Sequence, residues 1–449
     1  MTLKELILFG LILFFALFTR LFRLDYPKQM YFDEVYHVPA AMMLDDGNWQ
    51  TPFDFQQGSY DGQNVADWLH PPLAKYFQAL SIHFLGKNPL AWRLPSLIFS
   101  LLSLIVFYFL LRFLGRNFFF RKETFLQRNT LAINLALIGS FLFSLDGLFL
   151  VQSRIAMNDV FLLFFLLLAV FTYFVYLSYS TVKSSSSLLH QKYAFLFLTG
   201  VFLGLALASK WTALWVILFL FVREFLPLKN FRKLPFLIFA LLFTPFFIYF
   251  LNYLPMLFGG YHLSDFFLLQ KTMALSQLNN PNMHAYSSGP LSWLLNLRPV
   301  WYFVGTDLPA KWTANIYALD NPLLNFYLLL TLLVTFIVLL KIKDHSVLKK
   351  TILFIFLLYL VSFMPWLIFQ RPMFIYHYLP AVPFLIILLS YFLVNFLRKI
   401  QDSAKRQAIG FNLLFWPLFF FIIFYPHWTA LEVPSDFANA VYFLLANWR

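Results

Sequence analysis

The chain has 449 residues, of which 61% are hydrophobic and only 12% charged, with 61 Phe and a formal net charge of +13. One soluble core cannot hide that much apolar surface, so the composition excludes an ordinary globular domain and indicates a polytopic membrane protein. The absence of cysteine excludes disulfide staples and thiolate metal sites.

Apolar windows of about 20 residues mark membrane helices. About eleven are expected, near 4–22, 89–112, 131–150, 159–180, 194–209, 211–226, 235–254, 323–341, 351–370, 379–397 and 410–425. No small-residue cleavage site follows the first, which therefore reads as a retained helix and not a signal peptide. The fifth and sixth are short, and only Lys210 separates them. There is no internal repeat, Gly/Ser linker or separate soluble domain, so 1–449 reads as one all-α, membrane-embedded unit.

Charge orients the bundle. Alternate connections carry 20 of the 33 basic residues, including Arg116, Arg121, Lys183, Lys229, Lys343 and Lys405, against five acidic ones. The surplus of 15 positive charges on one side, against −2 for the rest of the chain, marks that side as cytoplasmic. The N-terminus then lies inside, while Asp33-Glu34 and the C-terminus lie outside, in a plasma membrane. The basic charge is thus a topology signal and gives no support to nucleic-acid binding.

Three outer segments are long enough for chemistry: 23–88, 255–322 and 426–449. In the first, Glu34 to Leu44 has helical apolar spacing suited to the membrane interface, and Trp49, Tyr60 and Trp68 suit an aromatic belt. In the last, Pro434-Ser435 starts a short helix with Phe437, Val441 and Leu444 toward the membrane. Arg20, Arg23 and Lys87 read as interfacial residues that snorkel to water.

Ionisable groups concentrate at the outer boundary, where they are costly and by default functional. Asp33, Glu34 and His37 come first. In His70-Pro71-Pro72-Leu73-Ala74-Lys75 two prolines forbid helix and should leave His70 and Lys75 on opposite sides of the turn. Arg93 lies one turn into the second span. Ser153-Arg154 and Asp159 flank a short turn, Lys210 and Trp211 mark another, and Arg371, His377 and Tyr378 a third. Arginine offers phosphate a bidentate match, and a carboxylate beside it can serve as general base toward an incoming hydroxyl. The set suits a substrate with phosphate at the membrane surface and sugar beyond it. Blander roles exist: Arg154 with Asp159 as a structural ion pair, and Asp33-Glu34 as a cap on the interfacial helix. The spacings of His37, His70 and His377 match no common zinc motif, so no metal site is expected.

Taken in order, Phe32-Asp33-Glu34, the His70 to Lys75 segment, Trp92-Arg93-Leu94-Pro95, Gln152 to Asp159, Gly204 to Trp211, His284-Ala285-Tyr286-Ser287-Ser288 leading to Arg298-Pro299-Val300, and Tyr376 to Ala381 resemble the protein O-mannosyltransferase family of GT-C glycosyltransferases. The resemblance runs over about 20–385. It implies inverting transfer of mannose from polyprenyl-phosphate-mannose to Ser or Thr of unfolded or translocating exported proteins, with no cofactor. It implies Asp33 as base, Glu34 in support, Arg93 on the donor phosphate, and Arg154, Asp159, His377 and Tyr378 bordering the donor. His70, Lys75, Lys210, Arg298 and Arg371 are further candidates. Ala74 replaces a common glycine and Asn158 a usually apolar residue. The 255–322 loop is too short for the β-trefoil of eukaryotic members, which implies a prokaryotic type. Related GT-C enzymes that modify lipids or cell-wall glycans share the acidic motif and remain an alternative. A secondary transporter is a distant one, since repeated halves and a mid-membrane polar site are missing.

Overall fold

The computed structural model describes residues 2–55, 66–179, 186–228, 231–278, 284–342, 346–369 and 371–448. Tyr60, Lys183, Lys229 and Lys343 lie outside the described residues.

Helix α1 (Leu3–Leu21) opens with a reciprocal capping box between Thr2 and Glu5. After it come α2 (Glu34–Asp45) and α3 (Leu73–Leu85), then the long α4 (Pro89–Leu114), capped by Asn88 and continued by a π turn over Gly115–Phe119. Glu5 also accepts from Tyr108 and pairs with Arg112 at 2.7 Å, tying the start of α1 to the end of α4. Helix α5 (Phe125–Ser144) lies earlier than the expected 131–150 span. Asp146 ends it there, because its carboxylate accepts the Phe149 N–H at 2.6 Å and starts α6 (Gly147–Gln152).

Helices α7 (Asp159–Tyr179), α8 (Ser186–Ser209) and α9 (Ala213–Phe225) follow, with the expected break at Lys210. Then α10 (Leu234–Ile238) runs through a π turn (Phe239–Phe243) into α11 (Thr244–Leu251). The second outer segment holds α12 (Leu254–Phe258), α13 (Leu263–Leu278), α14 (Pro290–Leu294), β1 (Val300–Val304), β2 (Trp312–Thr313) and β3 (Asn315–Ala318). The chain closes with α15 (Pro322–Lys341), α16 (Val347–Phe363), α17 (Val382–Leu397), α18 (Ser403–Thr429), β4 (Val433–Pro434) and α19 (Ser435–Val441).

The fold is helical but not purely so. Strand β1 pairs antiparallel with β3, and β2 with β4, which fastens the second outer segment to the C-terminal one. The aromatic and β-branched run Val300-Trp301-Tyr302-Phe303-Val304 favours a strand, and only the fold supplies its partner.

Among the described residues, seven helices are long and apolar enough to cross a membrane by length and composition. The other four expected spans fall on α1, α5, α9 and α17. The protein is an integral membrane protein. Arg20 departs from the snorkelling expectation. It is fully buried, with its guanidinium 4.7 Å above the Phe149 ring.

Helix α7 packs between α4 and α8, and α8 lies on α11. Gly200 and Gly204, four apart on α8, permit that approach, as small residues do between membrane helices. A Cβ on Gly200 would lie 1.8 Å from the Ala240 carbonyl oxygen, and one on Gly204 2.6 Å from Ile248 Cβ. Gly200→Val should therefore destabilise the protein by about 1–3 kcal/mol through overpacking. The readout is its unfolding temperature in detergent, and an unchanged value would refute so close a contact.

Candidate active site

Asp33 stands at the N-terminal cap of α2 but makes no capping bond with its side chain. Phe32 before it has a φ of 51°, a left-handed backbone that costs energy for an aromatic residue and recurs at functional sites. Its ring is stacked on Tyr302 at 3.9 Å and meets Tyr376 at 5.9 Å, so an aromatic wall rises beside the acid. Asp33 remains partly open to the surface. Burial pushes its carboxyl up to about 6; the Asp67 and Asp159 charges add to the rise, and His37 and Lys210 oppose it.

Lys210 occupies the break between α8 and α9. Its ammonium pairs with Asp159 at 2.7 Å and lies 5.1 Å from the Tyr376 ring. The other Asp159 oxygen and both polar side-chain atoms of Asn158 are buried and make no hydrogen bond among the described residues. Beyond Lys210 opens a cleft with a cavity of about 220 Å³. His70 and Arg371 supply polar edges, while Leu214, Trp215, Leu278 and Phe369 make apolar walls. His377 accepts from Arg371 at 3.3 Å through Nε2, while its Nδ1 donates to the Phe374 carbonyl at 2.9 Å. Burial, with Lys210 and Arg371 nearby, holds His377 well below its usual range and hence neutral, as that bond requires.

On the other side of Asp33, buried Asp67 gathers the first outer segment. It accepts from His37 Nδ1 at 2.5 Å and Lys75 Nζ at 3.1 Å. Burial raises the Asp67 carboxyl, but Lys75 and His37 outweigh that and leave it well below the usual carboxylate range. Among the described residues no three His, Asp or Glu side chains are grouped as a metal site would need.

Residues 66–257 match the family described as dolichyl-phosphate-mannose-protein mannosyltransferase, and 262–445 match the C-terminal four TMM region of protein-O-mannosyltransferase. The chain belongs to the protein O-mannosyltransferase family. It is a glycosyltransferase.

A polyprenol-phosphate-mannose–protein mannosyltransferase of Corynebacterium glutamicum is 30% identical over 209 residues, covering 42% of this chain and 35% of that protein. One of Mycolicibacterium smegmatis is 24% identical over 445 residues, covering 84% and 79%. Among solved structures, a chain of the S. cerevisiae protein O-mannosyltransferase Pmt1-Pmt2 complex bound to the sugar donor has a TM-score of 0.78 at 16% identity, covering 99% of this chain and 92% of its own. ArnT from Cupriavidus metallidurans bound to undecaprenyl phosphate has a TM-score of 0.56 at 12% identity, covering 91% and 63%. These likenesses establish the GT-C fold.

Several expected site residues of this family member are engaged elsewhere. Arg93 is fully buried, and all five of its N–H groups are used. It forks onto Glu34 at 2.8 and 2.9 Å and donates to the carbonyls of Leu24, Pro27 and Gln29 at 3.1, 2.8 and 3.1 Å. No donor remains for a phosphate. Glu34 also accepts the Ala156 N–H at 3.1 Å and is fully buried, so it holds the first outer segment in place.

Arg154 caps the end of α1, donating to the carbonyls of Arg20, Phe22 and Arg23 at 2.7, 2.8 and 3.1 Å. It does not pair with Asp159, which turns to Lys210. Tyr378 packs against Phe363 at 5.7 Å in the core, away from the cleft. Arg298 donates to the carbonyls of Ala285 and Asn447 at 2.8 and 3.0 Å, fastening the 284–298 loop to the C-terminal segment. Lys75 donates to the His70 carbonyl at 3.1 Å and both residues face Asp67, so they lie on one side of the turn. The structure does gather Asp33, Asp159, Lys210, His70, Arg371 and His377. It adds Asp67, Tyr302, Trp366 and Phe369, of which only Asp67 carried a signal, three residues before His70 at the Pro-Pro turn.

Proposed function

We propose that this family member transfers mannose from polyprenyl-phosphate-mannose to Ser or Thr hydroxyls of exported polypeptides. The reaction runs on the outer face of the cell membrane, with inversion and without a metal. One observation carries the reading: Lys210 joins the surroundings of Asp33 to an apolar cleft edged by Arg371. An isoprenoid chain suits the Leu214, Trp215 and Phe369 walls, and its phosphate suits the two cations. The sugar then extends toward Asp33 and the aromatic wall. The free atoms of Asn158 and Asp159 are available to its hydroxyls.

Asp33 accepts the proton of the acceptor hydroxyl as the new oxygen–carbon bond forms at the anomeric centre. On the opposite side the bond to the phosphate oxygen breaks, and polyprenyl phosphate departs with its charge held by Lys210 and Arg371. One displacement inverts the centre without a covalent intermediate. The outward-facing placement rests on the charge surplus at the opposite ends of the helices.

The test is labelled donor offered to Ser/Thr peptides and to glycolipids, with and without EDTA. Transfer to peptide in EDTA supports the proposal, and transfer to glycolipid alone replaces it with a lipid-modifying activity. Arg371→Ala and Lys210→Ala should each lower transfer by roughly 10²–10³-fold, the usual loss on removing one charge-stabilising group. Arg371→Lys should recover only part of the rate, because the planar fork is lost.

A further inference from the structure

At the end of the bundle opposite Asp33 lies a second, chemically different cavity of about 270 Å³. Its lining is Arg116, Asn117, Phe118, Arg121, Arg128, Ser178 and Tyr179. Three arginines converge there with no carboxylate among the lining residues, and none of the three forms an ion pair among the described residues. The nearest acid in sequence, Glu123, is taken by Arg398 at 2.7 Å. The Nε of Arg128 is buried and has no hydrogen-bond partner among the described residues. Basic residues on this side are ordinarily a topology signal and splay into water. Here they close around a cavity, and a buried guanidinium donor without a partner is costly unless something accepts from it.

The backbone supports a built site. Helix α4 does not stop at Leu114 but widens through the π turn Gly115–Phe119, which carries Arg116 and Asn117. Such turns are rare and gather at functional positions. Gly115 lets α5 pack closely against the turn, since a Cβ there would lie 2.7 Å from the Ala132 Cα. Next to the cavity, Phe125 and Leu126 at the start of α5 are 61% and 77% exposed. They give the pocket an apolar flank where acyl chains would run.

We infer that this cavity binds the phosphate headgroup of an anionic phospholipid, with Arg116, Arg121 and Arg128 as its charge partners and Asn117 and Ser178 as polar neighbours. Arginine matches phosphate oxygens bidentately, and basic pockets between membrane helices take such headgroups. On the orientation proposed above the lipid belongs to the cytoplasmic leaflet, remote from the sugar-transfer site. The exposed apolar flank favours a lipid over a soluble phosphate.

The purified full chain is titrated with phosphatidylglycerol or phosphatidylcholine in detergent micelles, and bound lipid is read by native mass spectrometry. Phosphatidylglycerol should be retained and phosphatidylcholine not. Replacing all three by glutamine (Arg116→Gln, Arg121→Gln, Arg128→Gln) should weaken retention by about 100-fold, at roughly fivefold per arginine. A control that removes equal charge from the same end (Lys399→Gln, Lys405→Gln, Arg406→Gln) should retain the lipid as the parent does. Equal loss in the control would reduce the effect to diffuse charge and overturn the site. Displacement by millimolar inorganic phosphate alone would overturn the lipid in favour of a free anion. Should the triple variant not fold, Arg116→Gln and Arg121→Gln singly decide, and unchanged retention in both would end the proposal.

Discussion

Asp33→Asn is expected to give a folded protein that binds labelled donor as the parent does but transfers sugar roughly 10²–10⁴-fold more slowly, the usual range for a lost general base. The change keeps the shape of the side chain and removes only its capacity to take a proton. The Asp33 side chain makes no capping bond to α2 that would be sacrificed, so stability should hold. The pH profile supplies an independent readout. Burial lifts the Asp33 carboxyl to about 6, so below that value it becomes protonated and cannot act as base. The parent's kcat/KM should therefore fall about tenfold per pH unit below 6 and level off above it. Asp33→Asn should lack that limb. Substantial transfer by Asp33→Asn, or a product that retains the donor's anomeric configuration, would remove Asp33 from the mechanism.

Arg93→Ala should act on the fold first. It leaves the Glu34 carboxylate buried at zero exposure without its bidentate partner, and three carbonyls without their donor. Breaking a buried ion pair from one side costs about 3–5 kcal/mol. The expected result is a markedly lower unfolding temperature in detergent, with lost activity following from it, because α2 begins at Glu34 and carries Asp33 at its cap. Arg93→Lys should recover little, since three donors on one nitrogen cannot replace a planar fork of five. Parent-like stability in Arg93→Ala together with lost donor binding would return Arg93 to the phosphate.

The two arginine roles show where reading residues alone stops. An arginine one turn inside an apolar span demands a partner, and that demand is visible in the sequence. Which partner it finds is not. Glu34 lies 59 positions away, and only packing of the first outer segment over α4 brings it within reach. A carboxylate supplied by the protein satisfies the same physical need that a substrate phosphate would. Arg154 repeats the lesson, with the carbonyls at the end of α1 in the place of a ligand. Lys210 shows the reverse case: in sequence it was a helix break and one further candidate among several, without a partner, yet folding set it between Asp159, Tyr376 and the cleft.

The sequence by itself determined the membrane class, the helix order and the family, because these depend on composition, on hydropathy summed over windows and on motifs in a fixed order. It also singled out Asp33, whose position after the first span needs no knowledge of distant contacts. Tertiary structure alone decided which ionisable groups are bonded within the fold, as Arg93, Glu34 and Arg154 are, and which stand at the cleft, as Lys210 and Arg371 do. Every buried charge needs a partner, and whether that partner is protein or ligand depends on which distant segments the helices bring to the same place.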